Sequence, residues 1–238
     1  MIKMTKYMKH FGAILSLLFC CNIISGQIND AELWTGISIS KKITKKISAN
    51  LEEQVRINNN ISSVKSVFTD LGVSCRLNKS LKISGNYRFI NRGRNNGVYW
   101  ISHRFYADLR YTYKAKPLIF IYRNRFYTEV GQEENGFIRE NNERNKLEIK
   151  IDLDRRFMPF IASELYYFVE KAVFNKIRYT VGIDYNLKNR NELSLFYRIQ
   201  REMNVTNPDY SYIIGVRFSH NLKGRLIKKR KKDQERLE

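Results

Sequence analysis

Charged side chains recur at every second position through much of this sequence, with opposite signs close together. Glu52, Gln54 and Arg56 form one row, and Lys82, Asn86 and Arg88 another. Arg104, Asp108 and Arg110 follow, then Arg123, Arg125 and Glu129, then Glu148, Lys150 and Asp152, and finally Arg198, Gln200 and Glu202. On neighbouring strands such residues pair as cross-strand salt bridges. Gathered around an enclosed space, they either fill it as a rigid polar network or, with arginine in excess, line a water-filled path that favours anions. The residues expected to line that space are Glu52, Arg56, Arg88, Arg104, Asp108, Arg110, Arg123, Arg125, Glu148 and Arg198. Glu164 shares a face with Phe160, Ala162 and Tyr166, so if buried it requires an arginine partner.

Catalytic chemistry is poorly provided for. A nucleophile needs a base and an orienting group beside it. Beyond the N-terminal segment the imidazoles are His103 and His220, next to Ser102 and Ser219. Successive side chains of an extended chain point to opposite sides, so neither Ser–His neighbour pair forms a dyad. No glycine-rich phosphate loop and no metal-ligand spacing occurs. The expectation is a protein that is not an enzyme and uses no cofactor. A barrel enzyme acting on lipid or lipopolysaccharide is the alternative reading, and a secreted soluble ligand-binding barrel a more distant one.

The elements that position these residues are strands. In 176–187, Ile177, Tyr179, Val181, Ile183, Tyr185 and Leu187 alternate with Lys176, Arg178, Thr180, Gly182, Asp184 and Asn186, the period-two pattern of a two-faced strand. Val67, Leu71, Val73, Cys75 and Leu77 oppose Phe68, Asp70, Ser74 and Arg76 in the same way. The segment 46–57 fits a strand, although Ile47, Leu51 and Val55 also fit a helical stripe; its strand neighbours decide for the strand. Eleven strands are expected, near 31–40, 46–58, 64–77, 80–91, 98–114, 117–130, 144–157, 159–169, 176–187, 191–203 and 209–220. Short connections near 41–45, 78–79, 115–116, 158 and 188–190 alternate with longer polar ones at 58–63, 91–97, 131–143, 170–175 and 204–208. Short turns at one rim and long loops at the other mark an outer-membrane barrel. Bacterial barrels of this kind have even strand numbers, so one strand is expected to have been missed or merged. The fold expected is all-β, an antiparallel up-and-down transmembrane β-barrel of about 10–12 strands.

Compartment and charge fit that architecture. Residues 1–26 read as a secretory signal peptide: Lys3, Lys6, Lys9 and His10 precede an apolar run from Phe11 to Ile24, and Ser25 and Gly26 offer small residues for cleavage. The apolar run is short for a membrane-spanning helix, and Phe19 before Cys20 argues against a lipoprotein signal. Cleavage would leave Cys75 as the sole cysteine, so neither an internal disulfide nor a cysteine zinc site is expected. The 238 residues hold 43 Lys and Arg against 23 Asp and Glu, a net charge of +20, which losing Lys3, Lys6 and Lys9 would reduce to +17. Residues 221–238 are expected to form a basic polar tail with eight of the cations, leaving 27–220 as the barrel. The low mean hydropathy of −0.48 speaks against helical spans but suits strands in which only every second residue is apolar. Export makes nucleic acid an unsuitable partner. The partners expected are outer-membrane lipid, lipopolysaccharide phosphates at the rims and the barrel-assembly machinery; the oligomeric state stays open. Tyr99, Tyr111 and Tyr113, and Tyr210, Tyr212 and Phe218, bracket apolar bands as aromatic rings do at a membrane interface.

Several short motifs appear in a particular order. They are Trp34, Lys45-Lys46, Glu52-Glu53 leading to Arg56, Phe68-Thr-Asp70-Leu-Gly72, Leu77-Asn78-Lys79 and Tyr87-Arg88. His103-Arg104, Asp108-Leu109, Arg123-Asn-Arg125, Arg144-Asn-Lys-Leu147 and Pro159-Phe160 with Glu164 complete the series. In order and spacing the chain resembles the bacterial outer-membrane β-barrel proteins of domain of unknown function 2490, found mostly in Bacteroidetes-type bacteria, over nearly the whole mature chain. The resemblance implies an exported barrel of unestablished activity. The basic segment after Phe218 departs from that pattern, since such barrels end at or near an aromatic strand terminus.

Overall fold

A computed structural model describes residues 29–93, 99–133, 136–153 and 156–223. The signal peptide expected at 1–26 lies outside these residues, as does the tail beyond Lys223. Eleven strands follow one another: β1 (Asn29–Lys42), β2 (Ile47–Asn58), β3 (Ser63–Arg76), β4 (Leu81–Gly93), β5 (Tyr99–Ala115), β6 (Leu118–Glu133), β7 (Gly136–Ile151), β8 (Phe157–Phe168), β9 (Val173–Asn186), β10 (Asn191–Glu202) and β11 (Tyr210–Leu222). Each pairs antiparallel with the next, and β1 pairs parallel with β11 to close the barrel. Among the described residues eleven strands close the barrel, so the even count that would need a missed or merged strand is not required. An odd up-and-down sheet can close, provided its first and last strands run the same way.

The two sets of side chains go where a membrane demands. Glu32, Asp70 and Asp184 are 1%, 2% and 1% exposed, while Ile37, Phe105 and Ile161 are 57%, 56% and 58% exposed. A water-soluble barrel would have this reversed. The polar rows fill the lumen and the apolar rows face outward, so the exterior is built for hydrocarbon. Aromatic rings gather toward both ends of the outer face. Phe157 stacks on Tyr185 at 4.5 Å and Tyr113 neighbours Phe120 at one rim; Tyr167 meets Phe174 at 5.2 Å and Tyr210 meets Tyr212 at the other.

Four expectations are corrected. The polar stretch 131–143 is not a loop: the β6–β7 ladder continues to Glu133 opposite Gly136. Polar residues stand on both faces there, as with Arg139 and Glu140, so alternation is lost while the backbone pairing persists. Met158 lies within β8, and its turn is at 152–156. The strands consume most of the expected long loops, so the two rims carry connections of similar length, the longest being 203–209. The last strand also runs to Leu222, two residues past the expected boundary, with the Ser40 hydroxyl bonded to Asn221 across the closing seam.

The seam sets Ser38 opposite Ser219, both facing inward, with their hydroxyls 2.8 Å apart. Ser38→Cys with Ser219→Cys, in a Cys75→Ser background, is expected to form an internal disulfide that speeds the heat-denatured chain on a non-reducing gel. Unchanged mobility after oxidation would be incompatible with parallel closure in this register.

Candidate functional site

Polar side chains on adjacent strands sit side by side in the lumen, and the register turns them into ion pairs. Asp70 opposes Arg88, Asp108 opposes Arg125, Glu129 opposes Arg104, and Glu164 opposes Arg178. Arg88 Nε donates to Asp70 Oδ2 at 2.7 Å, and the Tyr106 hydroxyl donates to the same oxygen at 2.5 Å. Arg125 grips Asp108 with two bonds of 2.6 and 2.8 Å, the two-pronged geometry that makes arginine a good carboxylate partner. Arg92 and Arg104 both bond Glu129, which also accepts from Ser102 at 3.0 Å. Glu148 is shared by Lys146 and Lys150, and Lys150 reaches Asp184 as well.

Glu164 is the hub. Arg123 Nη2 lies 2.6 Å and Arg144 Nη2 2.9 Å from Oε1, and Arg178 Nη1 lies 3.6 Å from Oε2. The arginine partner that its place on β8 required is thus supplied threefold. Its neighbour Tyr166 donates a hydroxyl bond at 3.1 Å and offers its ring to Arg144 at 4.4 Å and Arg178 at 4.7 Å.

Aromatic rings occupy the room that glycines leave. Phe160 opposes Gly182, which opposes Phe196, which opposes Gly215, which opposes Trp34. A methyl group at Gly215 would fall 2.0 Å from the Phe196 ring, and one at Gly182 would fall 2.5 Å from the Phe160 ring. Trp34 closes this row. Its indole N–H donates to Glu32 at 2.7 Å, and Glu32 also receives Lys65. The Arg56 guanidinium stacks on Trp34 at 3.8 Å, with Arg198 at 5.0 Å and Arg178 at 5.2 Å, cation–π contacts strengthened by exclusion of water.

The lumen consists of chambers. The central one, about 470 Å³, is lined by nine arginines and two lysines against five carboxylates. A chamber of about 380 Å³ toward one rim shares Trp34, Arg56, Arg144 and Arg178 with it, so these four form a waist. A third, of about 840 Å³, opens at the other rim among Lys42, Arg76, Lys82 and Arg190. Among the described residues Arg56 and Arg198 have no carboxylate partner; Arg56 Nε bonds Gln54 at 2.9 Å and Arg198 Nε bonds Thr180 at 3.0 Å.

All ten residues expected at the lumen point inward. Glu52, Arg56, Arg88, Arg110, Arg123, Arg125, Glu148 and Arg198 line the central chamber. Arg104 lines the smaller one, and Asp108 is held by Arg125. Sequence reasoning left Asp70, Arg144, Arg178, Asp184 and Trp34 out of the set, although the first four sit on the same polar rows. The glycines at 182 and 215, each inside a strand, were the available sign that large rings face them. Ser102 and His103 point apart: the serine bonds Glu129 inside, and the His103 ring pairs with the Tyr87 hydroxyl at 2.7 Å on the outer face.

Removing one partner of a buried ionic cluster strands the others. Glu164→Gln leaves Arg123, Arg144 and Arg178 to repel one another and is expected to cost roughly 3–5 kcal/mol. The heat-unfolding midpoint in detergent should drop clearly, while Glu53→Gln on the outer face leaves it nearly unchanged. Equal midpoints for all three proteins would show that the hub does not hold the strands together.

The beta domain of the Bordetella autotransporter Brka is 9% identical, covering 70% of this chain and 78% of that one, with a TM-score of 0.44. The NanC porin, in a rhombohedral crystal form, is 14% identical over 71% of this chain and 86% of that one, with a TM-score of 0.46. No curated protein matches the sequence. A family model described as a protein of unknown function, DUF2490, matches residues 31–211, from the first strand into the last. The chain therefore belongs to the DUF2490 family.

Proposed function

We propose that this protein is an outer-membrane barrel whose arginine-lined lumen admits small anions and passes them across the membrane, with no chemistry performed on them. The observation that carries this reading is the charge of the central chamber: eleven cations against five carboxylates in its lining and two more, Asp70 and Asp108, behind Arg88 and Arg125, with Arg56 and Arg198 in no carboxylate ion pair among the described residues. Excess fixed positive charge in a low-dielectric wall raises the local concentration of anions. Unspent donors support it further. Arg123, Arg144 and Arg217 each bury an Nε with no hydrogen-bond partner. Placement in the outer membrane rests on the apolar exterior, the aromatic ends and the signal-like residues 1–26. The partners that accompany the reading are outer-membrane lipid, lipopolysaccharide at the rims, and the assembly machinery during insertion.

A closed structural barrel is the second reading. It is favoured by the waist, where stacked Trp34, Arg56 and Arg178 narrow the passage between chambers.

Two measurements test these readings. The protein is expected in the outer-membrane fraction, with a gel mobility that changes on boiling; a soluble protein indifferent to heat would overturn the placement. In planar bilayers under a KCl gradient, the reversal potential should favour chloride. Arg56→Gln with Arg198→Gln strands no carboxylate and should diminish that preference without loss of the folded, heat-sensitive form. Verified insertion with no conductance would leave the closed barrel.

A further inference from the structure

The lipid-facing surface is apolar almost throughout, but on β6 and β7 it breaks. Tyr122 donates to Asn145 Oδ1 at 2.5 Å. The Asn124 amide donates to Glu143 Oε1 at 2.5 Å and to Asn145 Oδ1 at 2.9 Å, and the Asn145 amide donates to Glu143 Oε1 at 2.9 Å. These are outward residues. Asn124 stands between Arg123 and Arg125, and Asn145 between Arg144 and Lys146, all of which line the central chamber. The cluster therefore faces hydrocarbon at the height of that chamber, well inside the apolar band, where polar and ionisable groups are most costly. Glu143 Oε2, Asn124 Oδ1 and one N–H of Asn145 make no hydrogen bond among the described residues. Lipid tails offer them nothing.

Next to the cluster the outer face is hollow. A groove of about 550 Å³ crosses β3 to β6 over Val73, Ile83, Gly85, Ala107 and Leu109, and ends at Asn124 and Phe126. Gly85 keeps it open without any need of its own barrel: a methyl group there would touch nothing within 4 Å. Phe126 and Leu147, 48% and 50% exposed, stand up beside it.

We propose that this face, from the Gly85 groove to the Asn124–Glu143–Asn145 seam, binds a second copy of the chain about a two-fold axis. The surface is self-complementary, as a two-fold contact requires. It carries both a ridge and a groove, and both an unspent donor, the Asn145 N–H, and unspent acceptors, Glu143 Oε2 and Asn124 Oδ1, so each copy supplies what the other lacks. The other outward carboxylate at this height, Glu53, takes a hydroxyl bond from Thr69 at 2.5 Å and has no such cluster around it. The amides of the seam would then be shared between copies away from lipid, where interhelical and interstrand polar contacts are retained because hydrocarbon offers no alternative partner.

The test uses the full chain with Cys75→Ser, since Cys75 borders the groove. Phe126→Cys treated with a bismaleimide in outer membranes should yield a product of twice the chain mass, and Ile37→Cys, five strands away, should not. Adding Gly85→Leu fills the groove and should reduce the Phe126→Cys product at least tenfold while the heat-dependent gel shift persists. Asn124→Leu with Asn145→Leu should act the same way. The proposal is overturned by no product from Phe126→Cys, by linkage through position 37 instead, or by a product undiminished by Gly85→Leu. A product of another mass, meaning that a different protein covers this face, overturns it too. None of these outcomes depends on conductance, so the anion reading stands or falls separately.

Discussion

A closed sheet that turns its apolar side outward must fill its interior with polar side chains, and its buried carboxylates must find cations there. That constraint organises this molecule. Burying an unpaired charge is far more costly than leaving a pair exposed, so the strand register has to bring carboxylates opposite guanidiniums. Asp70 meets Arg88, Asp108 meets Arg125, and Glu129 meets Arg104 across adjacent strands, while Glu164 gathers cations from β6, β7 and β9. A slip of one residue in any of these ladders would turn every inward charge to lipid. Register, closure and the charge of the lumen are in this sense one fact.

The glycine–aromatic row serves the same end by different means. Arginine needs flat surfaces as well as carboxylates, and Trp34, Phe68 and Tyr106 supply them, with Arg56, Arg88 and Arg125 each 3.8 Å from a ring. Gly182 and Gly215 let the neighbouring rings lie flat on the wall instead of blocking the lumen. Arginine suits such a place because its weakly hydrated plane can stack and pair at once.

Much of this was legible in the sequence, and the parts that were not have physical reasons. Alternation along β3, β5 and β9 told which residues share a face, because a strand's period is two whatever surrounds it. It could not tell which face was inside; the export-like N-terminus and the aromatic ends decided that. Alternation failed at 131–143, where polar residues stand on both faces of the β6–β7 hairpin and only backbone pairing marks the strand. The odd strand count looked like an error because sequence does not show how the first and last strands meet. The hub at Glu164 was half visible: its need for arginine followed from its row, but its partners Arg123, Arg144 and Arg178 come from three strands whose relative register no local pattern encodes.

Parallel closure has a consequence for sidedness. β1 enters the barrel beside Tyr210, near the 203–209 turn, whereas β11 leaves it beside Lys41, near the 43–46 turn. A chain that crosses an odd number of times ends on the far side from where it started. The described strands therefore set Asn29 and Leu222 at opposite rims, with Asn29 beside Tyr210 and Tyr212 and Leu222 beside Lys41, so the two ends of the seam differ in chemical character.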